Sequence, residues 1–273
     1  MVPAQVFPLW KIKLLKVMAI SLYKTDAVIL RTRNLGETDR IYILFSPLYG
    51  KIDAVAKGVR KPSSKFSGTL EVFSHVYLML SEGKSLDGVS QVEVSNPHYG
   101  LREDLKKLTC ASYFIELVEH SILPGQENIE LFSLVLSVLS LLEYEDNMEL
   151  ILRYMELQLL TVLGLSPVLD RCQKCGVFSD TRTMKFYVSL GGTLCEKCAA
   201  RELSGYIAVS SETIKFLGKL ENIIPVNLKK VSPSTRICRE SRWILRHLLF
   251  YHLGKNIKSI EMLDCLIKAQ ENE

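Results

Sequence analysis

The chain has 273 residues, 48% of them hydrophobic, with 34 Lys and Arg against 30 Asp and Glu. At roughly 150 residues per domain this is enough for two folding units, and with only 15 Gly and 9 Pro the composition excludes collagen-like, low-complexity and disordered classes. Mean hydropathy is +0.14, yet Lys, Glu, Asn or Asp interrupts every apolar run before the ~20 residues that a membrane-spanning helix requires.

Residues 1–17 carry Lys11, Lys13 and Lys16 within their apolar run and lead to no small-residue cleavage site, so they do not read as a signal peptide. A cytoplasmic protein, with 1–17 as an N-terminal extension ahead of Met18, is the expectation. From Thr25 to Val94 the apolar residues fall in five short runs, 25–31, 40–46, 51–56, 72–80 and 88–94, separated by Gly, Pro, Asn or Ser. Five such strands in so short a stretch predict a small closed barrel, because closure removes exposed sheet edges. An OB-type barrel over 18–97 is the natural candidate, and an SH3-like barrel is the alternative.

After Asn96-Pro97 the apolar period becomes helical. Helices are predicted from Leu101 through Val118, from Ile129 to Leu142 and from Met148 to Leu163, the last closed by Gly164. Further helices are expected over 210–221, started at Ser210 or Ser211, over 234–253, started at Ser234 and followed by Gly254, and near 258–268. Their apolar faces can cover one another, which predicts a helical bundle built from 98–168 and 208–273.

Between these halves lies Cys172-Gln-Lys-Cys175, followed by Cys195-Glu-Lys-Cys198. Each Cys-x-x-Cys forms a short knuckle presenting two thiolates, and two knuckles at this separation match a tetrahedral zinc ribbon over 169–207. Met184–Ser189 reads as a strand and Gly191-Gly192 as the turn leading back to the second knuckle. Four protein ligands leave no open coordination position, so one structural Zn2+ is expected. Two disulfides, or a dithiol redox pair, are the alternatives; the first lacks an export signal and the second lacks a thioredoxin-like pattern. Cys110, Cys238 and Cys265 read as packed small side chains. The fold class is therefore multidomain α+β: barrel, helical bundle and an inserted zinc-ribbon-like module with four cysteine ligands.

The net charge of +4 is unevenly spread. Residues 20–70 hold nine cations and four acids, 101–165 four and eleven, and 210–273 eleven and seven. Arg31, Arg33, Arg40, Lys51, Lys57, Arg60, Lys61 and Lys65 gather around strand ends and the loop 57–69. A Gly/Ser/Pro loop with four cations and Phe66 suits a phosphate clamp in which the aromatic ring stacks on a base; a solvated basic loop is the alternative. A second stripe, Arg236, Arg239, Arg242 and Arg246 beside Trp243, lies in one helical arc and could grip an acidic peptide tail or phosphates; a plain exposed face is the alternative. No histidine falls in a triad or metal pattern, and no phosphate-binding Gly-rich motif is present, so a binding protein is expected rather than an enzyme.

Tyr23–Arg31, Gly36-Glu-Thr-Asp-Arg40, Tyr49-Gly-Lys51, Ala54–Lys61, Phe66-Ser-Gly68, Phe73-Ser-His75, the cysteine pairs and Tyr251-His-Leu-Gly254 closely resemble the bacterial RecO family of recombination-repair proteins, from about residue 18 onward. The resemblance implies an N-terminal OB domain, a helical domain and a zinc-binding insert. It further implies binding of single- and double-stranded DNA, annealing of complementary strands, and cooperation with RecR in loading RecA onto strands covered by single-strand-binding protein. DNA contact is carried individually to Arg31, Arg33, Arg40, Lys57, Arg60, Lys61 and Lys65, with pairing to Asp39 or Glu37 as the alternative role of Arg40. Some family members lack the cysteines, so zinc is expected to support the fold rather than execute annealing. A zinc-ribbon nucleic-acid-binding factor without annealing activity is the competing reading.

Overall fold

The computed structural model describes residues 21–66, 68–177, 183–202 and 205–271; the extension expected over 1–17 lies outside them. Strands β1 (Leu22–Leu35), β2 (Asp39–Ser46), β3 (Gly50–Ala56), β4 (His75–Ser81) and β5 (Asp87–Asn96) close a barrel in the order β1-β2-β3-β5-β4. The long β1 pairs antiparallel with β4 up to Val28 and with β2 from Val28 onward, with a bulge in the latter pairing between Ile29 and Arg31, while β3 and β5 are parallel. This order is that of an OB-type barrel and decides against the SH3-like alternative. The strand expected from residue 72 starts only at His75. Before it the chain turns at Phe73, which has φ 75° and donates its N–H to Ile29 O at 2.8 Å.

Ile41–Phe45 is a continuous apolar run instead of an alternating one, and the reason is burial on both faces. Ala27, Ile29, Tyr42 and Leu44 point into the barrel, whereas Val28, Leu30, Ile43 and Phe45 join the helical core. The Phe132 ring crosses both Phe45 and His75 edge-on at 5.6 and 5.8 Å. Gly50 tightens the same joint. It has φ 62°, and a Cβ there would lie 2.2 Å from Leu123 O, so only glycine lets Lys51 N–H reach Leu123 O at 3.1 Å.

The helical half comprises α1 (Gly100–Glu103), α2 (Leu105–Ser121), α3 (Ile129–Tyr144) and α4 (Met148–Val162). The single helix expected from Leu101 is broken at Asp104, whose extended backbone and carboxylate cap α2 by accepting from Lys106 N and Lys107 N. Asn128 and Asn147 cap α3 and α4 in the same way. Gly164 ends α4 in a left-handed cap, with Leu165 N bonding Leu160 O and Gly164 N bonding Thr161 O. Next come β6 (Thr183–Tyr187), β7 (Gly192–Leu194), α5 (Glu196–Ala199) and β8 (Tyr206–Ser210), forming a small sheet of order β7-β6-β8. Met184, Phe186 and Val209 of this sheet enter the helical core, so the cysteine module rests on the bundle. The fold ends with α6 (Ser211–Glu221), α7 (Thr235–Leu253) and α8 (Ser259–Glu271). Ser210 and Ser234 are the N-caps of α6 and α7.

A charged knot crosses the bundle. Glu156 on α4 is fully buried and accepts from Tyr113 Oη on α2 at 2.8 Å and Arg153 Nη2 at 3.1 Å, while Arg246 Nε of α7 stands 3.8 Å away. Arg246 also bonds Asp264 on α8, and Arg242 bonds Glu149 on α4 at 3.0 Å. Burial pushes the Glu156 carboxyl up, and the guanidinium groups of Arg153 and Arg246 pull against it. Removing the carboxylate would take from Arg153 its buried partner, leaving it to Glu149 at 3.6 Å, and would leave Arg246 to Asp264 at the surface. Glu156→Leu is accordingly expected to cost about 3–5 kcal/mol, read as a lower urea midpoint, with Arg153→Met in the same chain recovering part of the loss.

Candidate nucleic-acid interface and metal centre

The cations expected to touch DNA separate into three groups. The first forms where the β1–β2 turn meets the loop after β3. Arg60 N donates to Thr38 O at 3.0 Å, Arg60 Nη1 to Gly36 O at 3.3 Å, and Gly58 N to Asp39 Oδ1 at 2.8 Å, which staples loop to turn. Arg40 pairs in register with Ala56, the residue before Lys57, and Arg33 with Ile41. Arg33, Arg40, Lys57, Arg60 and Lys61 therefore share one rim of the barrel, and all but the half-buried Arg40 are exposed. Arg40 Nε donates to Asn34 Oδ1 at 3.3 Å, so its partner is neither Asp39 nor Glu37. The nearby acid, Asp39, is engaged: the Gly58 N–H, the Thr38 hydroxyl and the charges of Lys57 and Lys61 hold its carboxyl below the usual range. Asp39 stays ionised, and with the exposed Glu37 it sets two negative charges against five positive ones, so the rim is net positive.

The second group faces the bundle. Glu119 on α2 accepts from both Arg31 Nη2 at 2.7 Å and Lys51 Nζ at 3.2 Å. One carboxylate thus ties β1 and β3 to the helices, and these two cations serve the joint between barrel and bundle. The third is Lys65, which donates to Ser90 O at 3.0 Å beside Lys24 and the exposed Tyr77. Phe66 corrects the sequence expectation. It is 5% exposed and packs in the barrel core, with Lys65 Nζ over its ring at 4.8 Å, so its apolar surface is spent on folding and it presents no face to a base.

The α7 stripe is corrected in part. Arg242 and Arg246 turn inward to Glu149 and Glu156 on α4, and Arg246 also to Asp264 on α8. Arg236 pairs with Glu240 at 2.8 Å on the surface, and Arg239 and Trp243 are exposed. The four arginines do not form one free surface. His75 bonds Asp26 and the buried His98 bonds Glu143.

The four knuckle cysteines converge. Cys172, Cys175, Cys195 and Cys198 have all sulfurs within 4.8 Å of one another, and Cys175 and Cys195 are 3.7 Å apart. A tetrahedron of thiolates around an ion at about 2.3 Å has edges of about 3.8 Å, so the donor set fits one metal ion. Turn hydrogen bonds shape the first knuckle, Gly176 N to Cys172 O and Cys172 N to Val177 O, both at 2.9 Å. Burial opposes ionisation of Cys172, but N–H groups of Cys195, Cys175 and Lys174 directed at its sulfur bring it down to about 6. Cys198 is pushed up to about 12 by its hydrogen bonds to Cys195 and Cys175. One thiolate forms readily and the next is resisted, a conflict that a bound cation removes.

Fold and site together define an OB-barrel protein with a cationic rim and a helical, tetracysteine C-terminal half. Residues 18–98 match the family model for the recombination protein O N terminal and residues 102–261 that for the recombination protein O C terminal. The chain is 38% identical over 246 residues to the DNA repair protein RecO of Pelotomaculum thermopropionicum, covering 90% of this chain and 94% of that one. It is 34% identical over 250 residues to DNA repair protein RecO of Desulforamulus reducens, covering 92% and 97%. The chain belongs to the RecO family of DNA repair proteins. Among the described residues no helix is long and apolar enough to cross a membrane.

Replacing Cys175 and Cys198 together by Ser is expected to take metal content, measured by atomic emission on protein purified without chelator, from one ion per chain to near none. Far-ultraviolet circular dichroism should keep the helical signal, since the bundle core is built mainly outside the knuckles.

Proposed function

We propose that this protein acts without turnover chemistry as a recombination mediator: it binds single- and double-stranded DNA, anneals complementary single strands, and with RecR helps load RecA onto DNA coated by single-strand-binding protein. The observation that carries the reading is the barrel rim, where five cations share one edge with two acids, one of them, Asp39, held by its own loop. Such a surface exchanges condensed counterions for side-chain charges on each strand it holds. Two strands whose phosphates are neutralised repel each other less, and base pairing then supplies the sequence choice that a phosphate-reading surface lacks. Nothing in this scheme consumes a cofactor.

The same reading assigns 18–97 as the OB domain, 98–168 with 208–273 as the helical domain and 169–207 as the insert. Supporting it, the barrel has an apolar interior of its own, whereas helices and module share a second core. The tetrathiolate set favours Zn2+, in a structural role, because all four positions are filled by protein. The working place is the cytoplasm, at the nucleoid. The acidic tail of single-strand-binding protein remains a partner in this scheme, without the four-arginine stripe as its seat.

Two complementary labelled strands precoated with single-strand-binding protein should anneal rapidly when this protein is added without nucleotide. Binding without annealing would favour a generic zinc-ribbon nucleic-acid factor, and shortened strands would reveal a nuclease. A Lys57/Arg60/Lys61 triple Ala variant should flatten the dependence of log affinity on log salt by about 2 for single strands, measured by fluorescence anisotropy; an unchanged slope would move the footprint off the rim.

A further inference from the structure

Helix α7 turns an aromatic face to solvent. Trp243 is 53% exposed, Phe250 63% and Tyr251 56%, and at 100° per residue they fall in one arc with Arg236, Arg239 and His247. Its opposite face, with Ile244, Leu245, Leu248 and Leu249, is fully committed to the bundle core. Three large exposed rings on a helix already anchored on its other side are not needed for folding.

One of these rings, Trp243, is preorganised by its neighbour His247. Trp243 and His247 stack with centroids 4.7 Å apart and planes inclined by 14°, and His247 Nδ1 donates to Trp243 O at 2.7 Å, which pins the imidazole in place. A fixed, flat pair loses little rotamer freedom when a third planar group is added. The charge of the face is positive. Its acid, Glu240, is occupied by Ser210 N, Ser210 Oγ, Thr213 Oγ1 and Arg236 Nε. Arg239 lies one turn before Trp243, and Lys255 follows the helix end. A second copy of this chain would set Arg236 and Arg239 against themselves across a two-fold axis, whereas a strand of unpaired nucleotides offers planar bases to the rings and phosphates to the cations.

We infer that the outward face of α7 is a second contact for single-stranded nucleic acid, with the Trp243–His247 pair as a stacking platform for unpaired bases and Arg239 as a phosphate contact. The inference rests on the DNA-binding reading and extends it. The rim belongs to the barrel, while α7 packs on α4, α6 and β8, so the protein holds two separate seats for strands. Rim contacts are purely electrostatic; the α7 contact discriminates unpaired from paired bases, because a duplex hides its π-faces.

The chain has two tryptophans, so a Trp10→Phe protein reports from Trp243 alone. Titration with oligo-dT should quench its emission in step with binding followed by anisotropy of the labelled strand. Trp243→Ala and Phe250→Ala should each weaken oligo-dT binding roughly fivefold to a hundredfold, while an abasic strand of equal length loses about twofold or less. Trp243→Phe should retain most of the affinity, and because the altered side chains are exposed the melting temperature should hold. Oligo-dT binding with unchanged Trp243 emission and unaltered affinity of the Ala variants overturns the platform while leaving the DNA-binding reading intact. Quenching by an acidic peptide and not by oligo-dT overturns it in favour of a protein partner. If the unaltered protein binds no strand at all, the underlying reading fails and the platform with it.

Discussion

Burial of Ala27–Leu30 in β1 and Ile41–Ser46 in β2 on both faces is the constraint from which the remaining architecture follows. A barrel strand ordinarily sends alternate residues to water, but Val28, Leu30, Ile43 and Phe45 go into the helical core. Separating barrel from bundle would expose these side chains together with Phe73, each worth about 1.5–3 kcal/mol when buried. The barrel is thereby held against the bundle by its first two strands. What stays free is the far end of the same pair: the β1–β2 turn and the loop stapled to it, where Arg33, Arg40, Lys57, Arg60 and Lys61 collect. The cationic rim is exposed because the opposite part of the sheet is covered.

Electrostatics then sorts the cations by what the helices offer them. Glu119 draws in Arg31 and Lys51, and the α4 and α8 acids draw in Arg242 and Arg246. Cations without such neighbours remain for solution partners. The acidic middle of the chain is therefore more than a solvated surface, since Glu119, Glu149 and Glu156 neutralise cations donated by the basic head and tail. Interior pairs of this kind contribute little net stability compared with apolar replacements, but once present they penalise any packing that separates them. The Glu156 knot joins α2, α4 and α7 directly, and α8 through Arg246, in a region where apolar contacts alone would tolerate sliding.

Features written in contiguous residues are legible without the structure. The continuous run Ile41–Phe45, the caps at Ser210 and Ser234, the Gly164 terminator and the Cys-x-x-Cys pairs each act through neighbours a few positions away, and the structure has them where periodicity and spacing put them. Features decided by distant partners are not legible. Phe66 sits in a Gly/Ser/Pro loop that reads as exposed, yet the barrel interior has room for its ring. Arg239 and Arg242 lie close on one helical arc, yet Arg242 turns inward to a distant acid, Glu149 on α4, while Arg239 stays exposed. Trp243 is visible in the sequence as a neighbour of arginines; its stacking on His247, at spacing i to i+4, is within reach of helical geometry, but nothing in the local pattern says that both rings face solvent.

The position of the cysteine module bears on why a metal belongs in this fold. Among the described residues the cluster around the cysteines buries Cys172, Tyr187, Leu194 and Ala199, with Leu190 packed against them, a small apolar core for two turns and a three-stranded sheet. An ion held by the four thiolates would close the knuckles and offset the entropy of ordering them. The sheet so stabilised sends Met184, Phe186 and Val209 into the bundle and, through β8, leads directly into α6 at Ser210. Ser210 in turn donates to Glu240 on α7, the same carboxylate that Arg236 uses. The cysteine cluster is thus connected, through one strand and one shared acid, to the helix that carries the exposed aromatic face, and a metal bound there would act on that face by position, through α6 and β8, while the contact chemistry belongs to the rings and cations themselves.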